Sequence, residues 1–250
     1  MGTGKITQHL DEMLANRDGW ERKPLLRECY AEYYREIGSH LLPSVFGPTL
    51  ELGSGLGLVK EHIPHCQTSD IFPNEWLDRV ENAYAINQQD ASLGNLILFD
   101  VFHHLEHPGS ALREFARVVR LGGRLVIFEP DVSVLSRVVY GAFHHEPLGL
   151  GRKIAWDAHA EGSELHARYY AAQGNAHRVF LKDEQIRWRE SWDTVATKRF
   201  SGLRYFASGG FSGPYLYKPF LGSALQAGDR FGSLFPSLFS ARLLVVLQRK

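Results

Sequence analysis

Leu50-Glu51-Leu52-Gly53-Ser54-Gly55-Leu56-Gly57 sets an acid within a short apolar run and then places glycines at every second position. Residues 49–52 read as a strand and the residues after Gly57 as the start of a helix, so the glycines fall on the turn between them. Glycine accepts positive φ and puts no Cβ between the backbone and a ligand, which suits a nucleotide-sized molecule. A dinucleotide site normally shows GxGxxG, and here the third glycine arrives one residue early. Glu51 would repel a pyrophosphate, whereas it suits an ammonium group such as the tail of an amino acid.

Outward from this turn the chain alternates between strand and helix signals. Residues 58–63 are expected to be helical, 66–71 a strand ending at Asp70, and 74–81 a second helix. Asn95 to Asp100 reads as a buried strand and residues 108–120 as a helix whose inward residues are Leu112, Phe115, Val118 and Val119. Gly122-Gly123 should stop that helix before a strand over residues 124–129. Such alternation implies an α/β fold with a parallel sheet. Upstream, Leu26, Tyr30, Tyr33, Tyr34, Ile37 and Leu41 recur at helical spacing and suggest a helical lid or buttress. Downstream, residues 194–206 are expected to form one strand broken at Gly202, residues 208–214 a glycine-rich loop, and Ala241 to Leu247 a final strand. The 250 residues then make a single domain: a helical extension over 1–47, a cofactor-binding core over 48–130, a cap over 131–193, and final strands with a substrate loop over 194–250.

Composition removes several function classes. Lys plus Arg and Asp plus Glu both number 28, and no basic run offers a track for a nucleic-acid backbone. Cys29 and Cys66 are too few for a disulfide framework, which points to a reducing compartment. With no membrane-span-length apolar stretch and no signal-peptide core, the expectation is a cytoplasmic protein without stable membrane insertion; its oligomeric state is open.

Four segments in order, Glu51 to Gly57, Asp70 after the second strand, Phe99-Asp-Val-Phe-His-His-Leu105, and Leu121-Gly-Gly-Arg-Leu-Val-Ile-Phe-Glu-Pro130, resemble the class I S-adenosylmethionine-dependent methyltransferases, and most of all their small-molecule branch. The resemblance covers residues 45–130 and the last strand. It implies a Rossmann-like, doubly wound, mostly parallel sheet and S-adenosylmethionine as cofactor. It further implies that Gly53, Ser54, Gly55 and Gly57 face the methionine part and that Glu51 holds its amino group, directly or through water. Asp70, with Ile71 beside it, would meet the ribose, since two carboxylate oxygens can take two parallel donors. Asp100 closes the cofactor set at the end of the fourth strand. The family's acid-alanine pair at the adenine is matched by Asn82-Ala83, where an amide carbonyl replaces the acid; Asp90-Ala91 leaves too short a connection to the strand at Asn95.

Methyl transfer from a sulfonium is an in-line displacement, and a hydroxyl acceptor must also lose a proton. His103 and His104 stand on the ligand side of the fourth strand and are the candidate catalytic residues, against a purely structural reading in which a ring caps the following helix. Twelve histidines raise the question of a metal, yet His144, His145, His159, His166 and His177 follow no ligand spacing, so no metal is expected. Trp156, Tyr169, Tyr170, Trp188, Trp192, Tyr205, Phe206, Phe211, Tyr215 and Tyr217 supply either the walls of an acceptor pocket or the core of the cap. The acceptor is expected to be a small molecule of secondary metabolism or envelope-glycan biosynthesis, methylated on oxygen. Two other classes compete: an NAD-dependent oxidoreductase, weakened by the glycine spacing and the lack of a Tyr-x-x-x-Lys pair, and a non-catalytic binding partner that keeps the fold without turnover.

Overall fold

Every residue of Leu93–Phe99 is buried, as are the last six of Val119–Pro130 and the first eight of Ser240–Arg249. Strands this apolar must be covered on both faces, and they form the centre of a seven-stranded sheet. The computed structural model describes residues 3–143, 146–158 and 170–250. Its strands are β1 (Thr49–Leu52), β2 (Cys66–Asp70), β3 (Arg79–Val80), β4 (Leu93–Phe99), β5 (Val119–Pro130), β6 (Trp192–Ser201) and β7 (Ser240–Arg249), in the order β3-β2-β1-β4-β5-β7-β6. The first five run parallel, while β7 is antiparallel to both β5 and β6. The order reverses between β1 and β4, and ligands of open α/β sheets collect at the carboxyl ends of the strands there.

One face of the sheet is covered by α3 (Pro108–Val118), α5 (Asn175–Phe180) and the tryptophans Trp156, Trp188 and Trp192. The other is covered by α2 (Pro24–Ser39), which begins with proline in its first turn and buries Leu26, Tyr30, Tyr33, Tyr34 and Ile37. This is the aromatic stripe read from the sequence. Around the two layers lie α1 (Thr3–Arg22), α4 (Val134–Phe143), α6 (Leu203–Ser208), α7 (Gly222–Gly232) and α8 (Pro236–Phe239). No helix among the described residues is long and apolar enough to cross a membrane. Cys29 and Cys66 are both free and buried.

Several local expectations are corrected. The helix expected over 58–63 is a four-residue 3₁₀ turn, Leu58–Glu61, because Pro64 disfavours helical backbone at the residue before it. Residues 74–81 form a bend and the short β3. Asn74 accepts from Trp76 N and donates to Gly55 O, while Asp78 accepts from the amide and hydroxyl of Thr68, so side chains capture the groups a helix needs. Gly122 and Gly123 do not end α3, which stops at Val118; they lie within β5, Gly122 at φ 76° and Gly123 so close to Gly94 O that a Cβ would sit 2.9 Å from it. Gly202 does break the chain, but residues 203–208 continue as α6 and not as strand. The sequence pattern assigned no helices to the stretch that forms α7 and α8. His144, His145, His159, His166 and Tyr169 fall outside the described residues.

Candidate cofactor and acceptor site

Gly53, Gly55 and Gly57 all have positive φ, at 67°, 49° and 67°. A Cβ on Gly53 would come within 2.3 Å of Val101 Cγ2, and one on Gly57 within 2.8 Å of Trp76 O, so these two are fixed by packing as well as by conformation. Gly53, Ser54 and Gly55 line a cavity of about 810 Å³, and Met13 and Asn16 of α1 close over them. Gly57 does not line it.

Glu51 lies under this turn, 1% exposed. Its Oε1 accepts from the Tyr34 hydroxyl at 3.1 Å, while Oε2 is buried with no hydrogen-bond partner. Burial drives its pKa up to about 7, against the opposing hydrogen bonds of Ser54 and Tyr34. A buried carboxylate oxygen without a donor is a standing cost that a bound ammonium would relieve. At the end of β2, Asp70 accepts from Gly55 N at 3.2 Å and from Ile71 N at 2.7 Å, tying the second strand to the glycine turn. Asn82 Oδ1 accepts from Tyr84 N at 2.8 Å, an Asx turn closed by a bridge to Ala85. Glu51, Asp70, Ile71, Asn82 and Ala83 lie off the cavity lining, whereas Asp100, His103 and His104 are on it.

The far end of the cavity is built from the chain after β4. Glu129, fully buried at the end of β5, accepts from Val101 N and Phe102 N at 2.7 and 2.6 Å and from His103 Nδ1 at 2.6 Å, which fixes the 3₁₀ turn Phe102–His104. His103 Nε2 points to Glu146, 3.5 Å away. Burial alone would lower the His103 pKa, but the two carboxylates outweigh it and lift it to about 10. A ring held in that state donates protons and is poorly suited to accepting them. His104 donates from Nδ1 to Tyr170 O at 3.0 Å and brings Nε2 to 3.7 Å from Glu146; burial and the neighbouring His103 keep its pKa below the usual value.

Between these ends, Tyr30, Tyr34, Phe99, Tyr205, Phe206 and Phe211 form aromatic walls. Of the aromatics singled out in the sequence, Tyr205, Phe206 and Phe211 therefore line the cavity, while Trp156, Trp188 and Trp192 are core. Arg242 is an unforeseen part of the lining. It is 1% exposed, pairs through both terminal nitrogens with Asp100, and lies within 6 Å of the rings of Tyr33, Phe99, Phe128 and Tyr205. A guanidinium inside an otherwise apolar strand needs a buried partner, and that was the available signal.

The glycine-rich loop over 208–214 also borders the cavity. It is held by Lys23, whose ammonium donates to the carbonyls of Gly210, Phe211 and Gly213 at 2.7, 2.9 and 2.7 Å. Lys23→Met should lower stability by about 2–3 kcal/mol, since it strands three carbonyls that had a charged donor; chemical denaturation checks this, and an unchanged midpoint would remove the clamp.

Residues 50–127 match the family profile described as a methyltransferase domain. This segment, about a third of the chain, is similar to a methyltransferase domain. A search of curated protein sequences returned no match. Among solved structures, the chain is similar to geranyl diphosphate C-methyltransferase from Streptomyces coelicolor A3(2), with 12% identity, a TM-score of 0.48, and coverage of 90% of this chain and 79% of that one. It is also similar to the [4+2]-cyclase SpnF, at 14% identity and TM-score 0.48 over 88% and 80% of the two chains, and to the YcgJ protein of Bacillus subtilis, at 12% and 0.44 over 82% and 92%. Identities this low say nothing about the acceptor. The residues of this segment fit S-adenosylmethionine: Gly53 to Gly55 offer open backbone to the cavity, and Glu51 Oε2, buried beneath them and off the lining, lacks a hydrogen-bond partner.

Proposed function

We propose that the protein methylates an oxygen of a small acceptor, and that the acceptor belongs to secondary metabolism or envelope-glycan biosynthesis in the cytoplasm. The observation that carries this reading is that the glycine turn and the His103–His104–Glu146 cluster line the same cavity. Its volume of about 810 Å³ stands high in the range of roughly 300–1,000 Å³ typical of small-molecule sites, which leaves space for an acceptor beside a cofactor. When bound, the cofactor supplies an electrophilic methyl group on a sulfonium. Glu51 and the glycine backbone anchor the amino-acid tail, and Asp70 takes the ribose hydroxyls with lone pairs beyond those already given to Gly55 and Ile71. The electron-rich faces of Tyr30, Tyr34 and Phe99 favour positive charge between the two ends. His103 and His104 orient the acceptor oxygen, so that rate comes from alignment and exclusion of water.

Isothermal titration with S-adenosylhomocysteine tests the cofactor half, and a panel of hydroxylated acceptors followed by release of S-adenosylhomocysteine tests the rest. Asp70→Ala should weaken cofactor binding several-fold by loss of charge-assisted hydrogen bonds. Unchanged affinity would remove Asp70 from the site, and retention of a nicotinamide dinucleotide by the purified protein would favour the oxidoreductase reading.

A further inference from the structure

We infer that His103, His104 and Glu146 form a binding site for one divalent transition-metal ion at the acceptor end of the cavity. One nitrogen from each ring and one oxygen of the carboxylate lie within 4.8 Å of one another. His103 Nε2 lies 3.5 Å from Glu146 Oε2, which also accepts from Gln173 Nε2 at 3.2 Å, and His104 Nε2 lies 3.7 Å from Glu146 Oε1. Donors on neighbouring positions of one ion with bonds of roughly 2.0–2.2 Å stand about 3.0–3.5 Å apart, so each ring nitrogen is already near ligand spacing from the carboxylate and the set must draw in from within 4.8 Å.

The second argument is orientation. Both imidazoles engage an acceptor through Nδ1, His103 with the Glu129 carboxylate and His104 with the Tyr170 carbonyl, and both bring Nε2 to the same carboxylate. Metal-binding histidines characteristically have their other nitrogen held by a carboxylate or carbonyl, which fixes the tautomer and aims the ring. An imidazolium of His103 bridging Glu129 and Glu146 would account for one ring and leaves the matching aim of His104 unexplained.

A neighbouring set, Asp100, His103 and Glu129, is just as compact, but its carboxylates are each engaged by two or more charged or backbone donors. Asp100 faces both terminal nitrogens of Arg242, and Glu129 already accepts from Val101 N and Phe102 N. His103, His104 and Glu146 all line the cavity, so an ion there has protein on one side and open positions on the other. Two imidazoles with one carboxylate and open positions suit iron(II), cobalt(II), manganese(II) or zinc(II) better than magnesium or calcium, which prefer all-oxygen sets. If the oxygen-methylation reading holds, on which this role alone rests, the ion binds the acceptor hydroxyl and makes it more acidic. The proton then leaves to water, the oxygen pair forms the new C–O bond, and the pair of the breaking C–S bond returns to sulfur.

The test uses the full chain without a histidine tag, stripped with a chelator and desalted, then titrated with cobalt(II) while visible d–d absorption is followed, and with zinc(II) by calorimetry. One ion per chain is expected, with affinity lowered at least tenfold in His104→Ala and in Glu146→Gln, whose folding is checked by circular dichroism. Asp70→Ala should bind the ion as wild type does while binding S-adenosylhomocysteine several-fold more weakly, which separates failure of the cofactor reading from failure of this one. Absence of stoichiometric binding, or equal affinity in wild type, His104→Ala and Glu146→Gln, would overturn the site.

Discussion

Asp100→Asn will destabilise the folded chain by about 3–5 kcal/mol, the cost of leaving one member of a buried ion pair without its counter-charge. Arg242 is the deeper partner, 1% exposed, and its Nε already lacks a hydrogen-bond acceptor. Four aromatic rings surround it, the nearest being Tyr205 at 4.5 Å, and ring faces replace only part of a carboxylate. Removing the cation is the milder change. The Asp100 side chain is 31% exposed toward the cavity, so after Arg242→Met water can solvate the remaining charge. The substitution Asp100→Asn is chosen because residue 100 has φ 56°, a left-handed conformation that asparagine tolerates and alanine does not. The order of stability should be wild type, then Arg242→Met, then Asp100→Asn, with the double variant above Asp100→Asn. Urea unfolding decides it: an Asp100→Asn chain within about 1 kcal/mol of wild type would mean that the aromatic box alone supports the guanidinium.

Which parts of this architecture were legible follows from how local their causes are. Strands β1, β4 and β7 announce themselves by apolar runs, and α2 by the spacing of Leu26, Tyr30, Tyr33 and Ile37, because burial of one face leaves a period in the sequence. Gly53, Gly55 and Gly57 were readable for the same reason, since three residues at positive φ in one turn require glycine. Residues 74–81 misled because their fate depends on Gly55, Thr68 and Lys60, up to about twenty positions away, which compete for Asn74 and Asp78. The acceptor end was harder still. His103 stood out by type, but its partners Glu129 and Glu146 come from the end of β5 and the segment beyond α4, and only folding brings the three together. Lys23 is separated from the carbonyls it holds by 187–190 positions. Arg242 and Glu129 did leave a trace, each a charge set in an apolar strand, and such a charge predicts a buried counterpart without naming it.

Cofactor affinity should rise with pH up to about 7 and level off above it, because Glu51 must be ionised to receive an ammonium and its folded-state pKa stands at about 7. Below that value each S-adenosylhomocysteine bound releases one proton from Glu51, so affinity falls by up to about tenfold per pH unit. The empty protein obeys the opposite slope. The native state keeps this proton up to about 7, whereas the unfolded chain loses it near the ordinary glutamate pKa of about 4.3, so between those values the native state binds more protons. Glu51 therefore lowers the stability of the empty fold as pH rises through that window, while the same ionisation improves the site for its ligand. Glu51→Gln removes both effects: it should stabilise the empty chain at neutral pH, weaken binding there, and flatten the affinity profile. Titration calorimetry with S-adenosylhomocysteine between about pH 5.5 and 8, in buffers of different ionisation enthalpy, reads both the slope and the released proton. A wild-type profile already flat below 7, or the wild-type slope persisting unchanged in the Glu51→Gln protein, would place the ammonium elsewhere and leave the unpartnered Oε2 of Glu51 as a cost of the fold alone.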